Sequence, residues 1–218
     1  IPNGVDYQTL SRLPQASPDD PPTVALVGRV VPIKDIKTYL QAVRVLRDQV
    51  PGLNALVLGP TDEQPDYYEE CKAMAAELGL SETVRFTGQI NVAEYFPRIH
   101  VNVLTSVSES QPLSVLEAGA AAIPTVATDV GSCREILFGR RDELPALGEG
   151  GALTDVASPE QTAAAIAALL RDHDRRQRSG RAMQERVKRY YDLDLVDAAY
   201  STIYHRHMDA PSLAVAAG

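Results

Sequence analysis

Two carboxylates with seven residues between them, Glu109 and Glu117, stand in the stretch SESQPLSVLEAG at 108–119. The first lies in a polar loop, the second inside an apolar run. Pro112 suits a first helical turn, and the residues from 112 to 122 read as a helix in which only Ser114 and Glu117 are polar. A helix that is apolar on nearly every side is a buried one, and desolvating a carboxylate without compensation costs several kcal/mol or more. Ser114 and Glu117 are three apart and share a face. Either Glu117 is satisfied by a neighbouring backbone group or arginine, or its face lines a cleft and it accepts hydroxyls from a ligand. In the second case Glu109 stands at the cleft mouth, near helix N-terminal amides that favour an anionic group such as phosphate.

A second candidate follows the first apolar run. Gly28-Arg29-Val30-Val31-Pro32-Ile33-Lys34-Asp35 offers a glycine that lets a ligand approach the backbone, two cations, and an aspartate placed to cap the next helix. Two cations in a chain of net charge −8 read as a diphosphate clamp or as a solvated basic loop.

The elements that must position these residues alternate in type. The runs 23–28, 53–59, 83–88, 101–105 and 123–128 are continuously apolar, as strands covered on both faces should be, and GEGGALTD at 148–155 supplies a last strand. Helical segments fall at 36–49, 65–78, 92–97, 112–122 and 132–137, then at 158–171 with Ser158 as cap, 174–189 and 193–208. The expected fold is α/β: a Rossmann-like, doubly wound parallel sheet of about six strands, with helices on both faces and extra C-terminal helices. Ligands in such folds sit at the carboxyl ends of the strands, where both candidate loops fall.

Composition narrows the classes. The excess of acid over base argues against a nucleic-acid partner, so any anion site must be local. Cys71 and Cys133 lack metal or redox spacing, which favours a reducing compartment, and a cytoplasmic location is expected. No apolar stretch reaches membrane-spanning length. The opening IPNGVD reads as a turn entering from something upstream, so the chain is read as one domain, residues 1–209, of a longer polypeptide, followed by a disordered tail at 210–218.

Glu109 and Glu117, Gly28-Arg29 with Lys34, the opening IPNGVD and TDVGSCREIL at 128–137 together resemble the carboxy-terminal, donor-binding domain of retaining GT-B glycosyltransferases of family four. GRVVPIKDIKTYLQA and SESQPLSVLEA resemble the PelF-like branch, which acts in exopolysaccharide synthesis with UDP-glucose. The resemblance implies that Arg29 and Lys34 bind the donor diphosphate, Glu109 lies by the hexose as the catalytic carboxylate, and Glu117 binds the ribose hydroxyls. It implies that Gly28 and Ser110, Gln111, Pro112, Leu113 and Ser114 complete the donor site, and that Gln89 and Ile90 meet the base. The implied partners are a nucleoside diphosphate sugar, an amino-terminal acceptor domain and a membrane-associated polysaccharide complex. No metal or other cofactor is implied, and this chain alone should be inactive in transfer.

Other features have plainer readings. Asp192-Leu193-Asp194 has the D-x-D form of a metal motif but lies between helices rather than after a strand. His205 and His207 are two apart on a helix and make a poor metal pair. Ser132 with Glu135 reads as a capping box, and Gly131 before it could approach a sugar. The motifs of α/β-hydrolases, P-loop proteins and dinucleotide-binding folds are absent. An epimerase or sugar phosphorylase of the same architecture, and a non-catalytic nucleotide-sugar module, remain alternatives.

Overall fold

In the computed structural model, which describes residues 1–208, the helices are α1 (Tyr7–Leu10), α2 (Ile36–Arg47), α3 (Pro65–Glu77), α4 (Leu113–Ala120), α5 (Cys133–Phe138), α6 (Pro159–Arg171), α7 (His173–Tyr190) and α8 (Leu193–Met208). The strands are β1 (Thr23–Val27), β2 (Asn54–Leu58), β3 (Val84–Phe86), β4 (Val101–Leu104), β5 (Thr125–Thr128) and β6 (Gly151–Thr154). They form one parallel sheet in the order β3-β2-β1-β4-β5-β6, so the chain reverses its direction of travel across the sheet after β3. The expected doubly wound α/β fold is the observed one.

The continuous apolar runs have the predicted cause. Every residue of β1, β4 and β5 is buried, because each face of the sheet carries its own core. Val24, Leu26 and Val57 pack with α2, α3 and α6, through Leu40, Val43, Cys71 and Ile166. Ala25, Val27 and Leu58 pack on the other face with α4, α5 and α7, through Leu116, Ile136, Met183 and Val187. The two free cysteines, Cys71 and Cys133, therefore belong to opposite cores. Gly119 sets the spacing of α4 on α7: a Cβ there would lie 2.7 Å from Met183 Cε.

Several local expectations need correction. The helix expected over 92–97 is two 3-10 turns, Val92–Glu94 and Phe96–Arg98. Pro112 is the residue before α4 rather than part of its first turn, with extended backbone. Asp35 caps α2 as expected, accepting from the Thr38 N–H at 3.2 Å, but Ser158 and Ser132 occupy cap positions without using their hydroxyls. The Ser132 N–H donates instead to the Ser110 carbonyl at 2.9 Å, and its buried hydroxyl has no partner among the described residues. Packing between two loops has displaced the local cap there. Asp192 stands at the head of α8 and accepts from the Asp194 N–H at 3.4 Å, the behaviour of a turn residue. The expected tail at 210–218 lies outside the described residues.

Candidate functional site

The loops at the carboxyl ends of β1, β4 and β5 are tied to one another by hydrogen bonds from residues at or just beyond the strand ends. The hydroxyl of Thr105 donates to the carbonyls of Lys34 and Asp35, both at 2.9 Å, and the Val107 N–H donates to the Ile33 carbonyl at 2.9 Å. Thr128 donates to the carbonyl of Ser106 at 2.7 Å. Thr105 and Ser106 are completely buried. Gly131 closes the assembly: its φ of 53° is open to glycine, and a Cβ would lie 2.2 Å from the Glu109 carbonyl oxygen. Gly131 thus holds the loop that carries Glu109.

These ties assemble a cleft of about 450 Å³ lined by Gly28, Arg29, Lys34, Glu109, Gln111, Pro112, Leu113, Ser114 and Glu117, together with Val27 and Asn3. Segments separated by some eighty residues of chain meet there. Lys34 Nζ lies 2.6 Å from Glu109 Oε1, and the hydroxyl of Ser106 donates to the same oxygen at 2.7 Å. Both side chains are mostly shielded, 16% and 14% exposed. Glu109 is therefore paired with Lys34 rather than with the amides of α4. Arg29 sits on the rim, where its guanidinium donates to both carboxylate oxygens of Glu63 at 2.6 and 2.9 Å.

Glu117 differs from Glu109, the other acid in the lining. It is half-buried and makes no hydrogen bond or ion pair among the described residues. Burial alone raises its carboxyl above the ordinary glutamate value. The buried side of α4 is formed instead by Val115, Leu116, Ala118, Gly119 and Ala120. At the start of α4 the first intrahelical bonds come from the N–H groups of Val115 and Leu116 to the Pro112 carbonyl, at 3.2 and 3.4 Å, so the amides of Leu113 and Ser114 have no partner among the described residues and are free to face an anion.

Ser110, Gln89 and Ile90 are not in the lining. Ser110 is exposed, its carbonyl committed to Ser132. Gln89 and Ile90 follow Gly88, which the Gly59 N–H joins at 3.1 Å, so they flank the loop beyond β2, and Ile90 packs on the core. Sequence reasoning missed Asn3 and the buried Thr105-Ser106 pair. Asn3 donates from its backbone N–H to the Gln111 side-chain oxygen and from Nδ2 to the Gln111 carbonyl at 3.1 Å. A polar Thr-Ser pair directly after an apolar strand was the available signal for the other two.

The model of the family described as glycosyl transferases group 1 matches residues 8–186. The chain belongs to this family. A phosphatidyl-myo-inositol mannosyltransferase of Mycobacterium leprae is 32% identical over 211 residues, covering 94% of this chain and 52% of that protein. A D-inositol 3-phosphate glycosyltransferase of Corynebacterium glutamicum is 33% identical over 178 residues, covering 77% of this chain and 39% of that one. The chain thus spans about half or less of the length of these curated relatives. The solved structure of Anabaena HepE in complex with UDP-glucose superposes with a TM-score of 0.79 at 18% identity, over 93% of this chain and 56% of the other. The group 1 transferase domain thus has a GT-B-type Rossmann-like fold, and among its described residues no helix is long and apolar enough to cross a membrane.

Proposed function

We propose that this chain is the nucleotide-sugar-binding part of a retaining, family-four glycosyltransferase that moves a hexose, in the PelF-like reading glucose from UDP-glucose, to an acceptor or growing exopolysaccharide in the cytoplasm. The observation that carries the reading is the unpartnered, half-buried Glu117 facing a cleft whose other walls carry Lys34, Arg29 and the free amides of α4. A carboxylate with no protein donor suits a vicinal diol, and cations with free N–H groups suit a diphosphate. HepE, which shares the fold, was solved in complex with UDP-glucose, and this supports the donor class. The relative named a mannosyltransferase keeps mannose within the hexose class.

In this reading Arg29 exchanges Glu63 for a donor phosphate, Lys34 bridges the diphosphate and Glu109, and Glu109 stands beside the hexose, where positive charge develops in the transition state. Gln89 and Ile90 lie toward the base. The acceptor binds to a separate amino-terminal domain, so this chain alone binds donor without turning it over. Positive charge is supplied by side chains and a helix N-terminus, and binding needs no divalent metal.

The test is calorimetry of the 218-residue chain with UDP, GDP, ADP and uridine, with and without EDTA. The expected result is diphosphate binding that exceeds nucleoside binding, resists EDTA and falls in Arg29→Ala and Lys34→Ala, each by about 1.5–3 kcal/mol. Equal losses for UDP and uridine would reject the clamp.

A further inference from the structure

Both donors that hold Glu109 act on the same one of its two oxygens. Lys34 Nζ and the Ser106 hydroxyl lie 2.6 and 2.7 Å from Oε1. Oε2 has no partner among the described residues. The buried side-chain nitrogens and oxygens left without a partner there are Asn102 Oδ1 and Ser132 Oγ, so Oε2 is not sealed from solvent, and Glu109 lines the cleft. One oxygen of the carboxylate is fastened to the protein and the other is offered.

The two donors differ in stiffness. Lys34 reaches Oε1 on a flexible four-carbon stem that crosses Gly28, where a Cβ would stand 3.4 Å from Lys34 Cε. In the reading proposed above Lys34 also serves the diphosphate, so its N–H donors are divided. Ser106 reaches Oε1 through a single torsion from a fully buried residue. Its main chain is anchored on both sides: Thr128 donates to the Ser106 carbonyl at 2.7 Å, and the preceding Thr105 donates to the carbonyls of Lys34 and Asp35. The end of β5 and the loop after β1 thus fix the hydroxyl that meets Glu109 three residues on.

We propose that Ser106 is a positioning residue for the donor hexose: by fixing Oε1 it keeps the Glu109 carboxylate turned so that Oε2 accepts from a hydroxyl of the sugar. The inference rests on the reading that Glu109 stands beside the hexose. Ser106 lies outside the cleft lining and acts through Glu109. A hydroxyl that donates to a carboxylate makes a charge-assisted, directional bond, whereas the terminal torsion of a glutamate is broad and two-fold. Without Ser106 the carboxylate is held by Lys34 alone, and either oxygen can take the lysine.

The experiment measures by calorimetry the affinity of the 218-residue chain for UDP-glucose relative to UDP. S106A should lower this ratio about three- to tenfold, with UDP affinity within about twofold of wild type. S106C, of similar volume but with a weaker donor, should fall between the two. In S106A/E109A the ratio should equal that of E109A alone, because no carboxylate is left to position. A residue that supports only the fold would weaken both nucleotides alike and leave the ratio unchanged. An unchanged ratio in S106A, or in S106C where S106A does not fold, therefore overturns the positioning role and leaves Glu109 beside the hexose. Independent losses that add in S106A/E109A overturn it as well. An unchanged ratio in E109A, or no binding of either nucleotide, overturns the placement of Glu109 itself and the role of Ser106 with it.

Discussion

Glu143 and Glu117 are both shielded glutamates, yet their surroundings are opposite. Glu143 meets Arg186 through two parallel hydrogen bonds of 2.8 Å, and the two side chains are 3% and 0% exposed. Arg186 spends its remaining donors on the carbonyls of Ile136, Leu137 and Gly148, and Glu143 also accepts from the Leu147 N–H at 3.1 Å. Its hydrogen bonds from Arg186 lower the Glu143 carboxyl below the ordinary glutamate value, whereas burial raises Glu117. A charge whose donors are all supplied by the fold is a fastening. A charge that the fold has half-dried and left alone costs stability and is available to a ligand.

Breaking the fastening should have the largest effect. Arg186→Met removes the cation but leaves Glu143 buried and uncompensated, a change that costs about 3–5 kcal/mol in such pairs. A urea titration of the chain should show the midpoint fall accordingly, and a loss below about 1 kcal/mol would mean that Glu143 reaches water once its partner is gone.

The same comparison predicts the opposite outcome at Glu117. Glu117→Gln should leave folding stability unchanged or slightly higher, while UDP affinity falls by about 1–3 kcal/mol through the loss of charge-assisted hydrogen bonds. Removing the ribose 2′-hydroxyl from UDP should then cost wild type more than the variant. Equal costs would return Glu117 to the class of structural carboxylates.

The two glutamates should also respond to pH with opposite sign. Glu143 has a depressed carboxyl, so its contribution is present above the unfolded-state value near 4.5 and is lost as pH falls through the folded one. Glu117 is raised, so the native state holds its proton more tightly; that contribution is full below about 4.5 and is lost as pH rises through the folded value. The stability difference between wild type and Glu143→Gln should shrink on acidification below 4.5. Glu117→Gln should instead gain on wild type as pH rises from that region toward neutrality. Parallel pH profiles for the two variants would remove the distinction.

Much of this contrast was legible in the sequence on the cleft side and little on the other. Alternating apolar runs specify a parallel sheet, that sheet specifies its carboxyl edge, and loops such as 28–35 and 108–114 follow strands directly. Only one inferential step separates their residues from a common cleft. The Arg186–Glu143 pair offered no such route, since forty-three residues separate its members and the glutamate lies in an irregular loop. The capping box at Ser132 failed for a related reason: a tertiary contact with Ser110 outweighed a local hydrogen bond that sequence favoured. Pairings of Lys34 with Glu109 and Arg29 with Glu63 depend on side-chain direction, which period and spacing do not carry.

The smallest expected effect belongs to Asn3, which joins neither class of charge but links the cleft to the far end of the chain. Its Nδ2 holds the Gln111 carbonyl at the entrance to α4, while two residues on, Val5 is bound to Tyr191 and Leu193 through N–H···O bonds of 2.9 and 3.0 Å. Asn3→Ala removes one exposed hydrogen bond and keeps the backbone N–H that meets the Gln111 side chain, so the loss should be about 0.5–1 kcal/mol, a two- to fivefold weakening. Because Gln111 precedes the free amides of Leu113 and Ser114, the weakening should appear for UDP and not for uridine, with the urea midpoint unchanged. Gln111→Ala removes the other side-chain bond of the pair, and a double variant whose loss equals the sum of the two singles would show that the residues act separately. A uniform loss across UDP and uridine would make Asn3 part of the fastening, on the side of Glu143 rather than of Glu117.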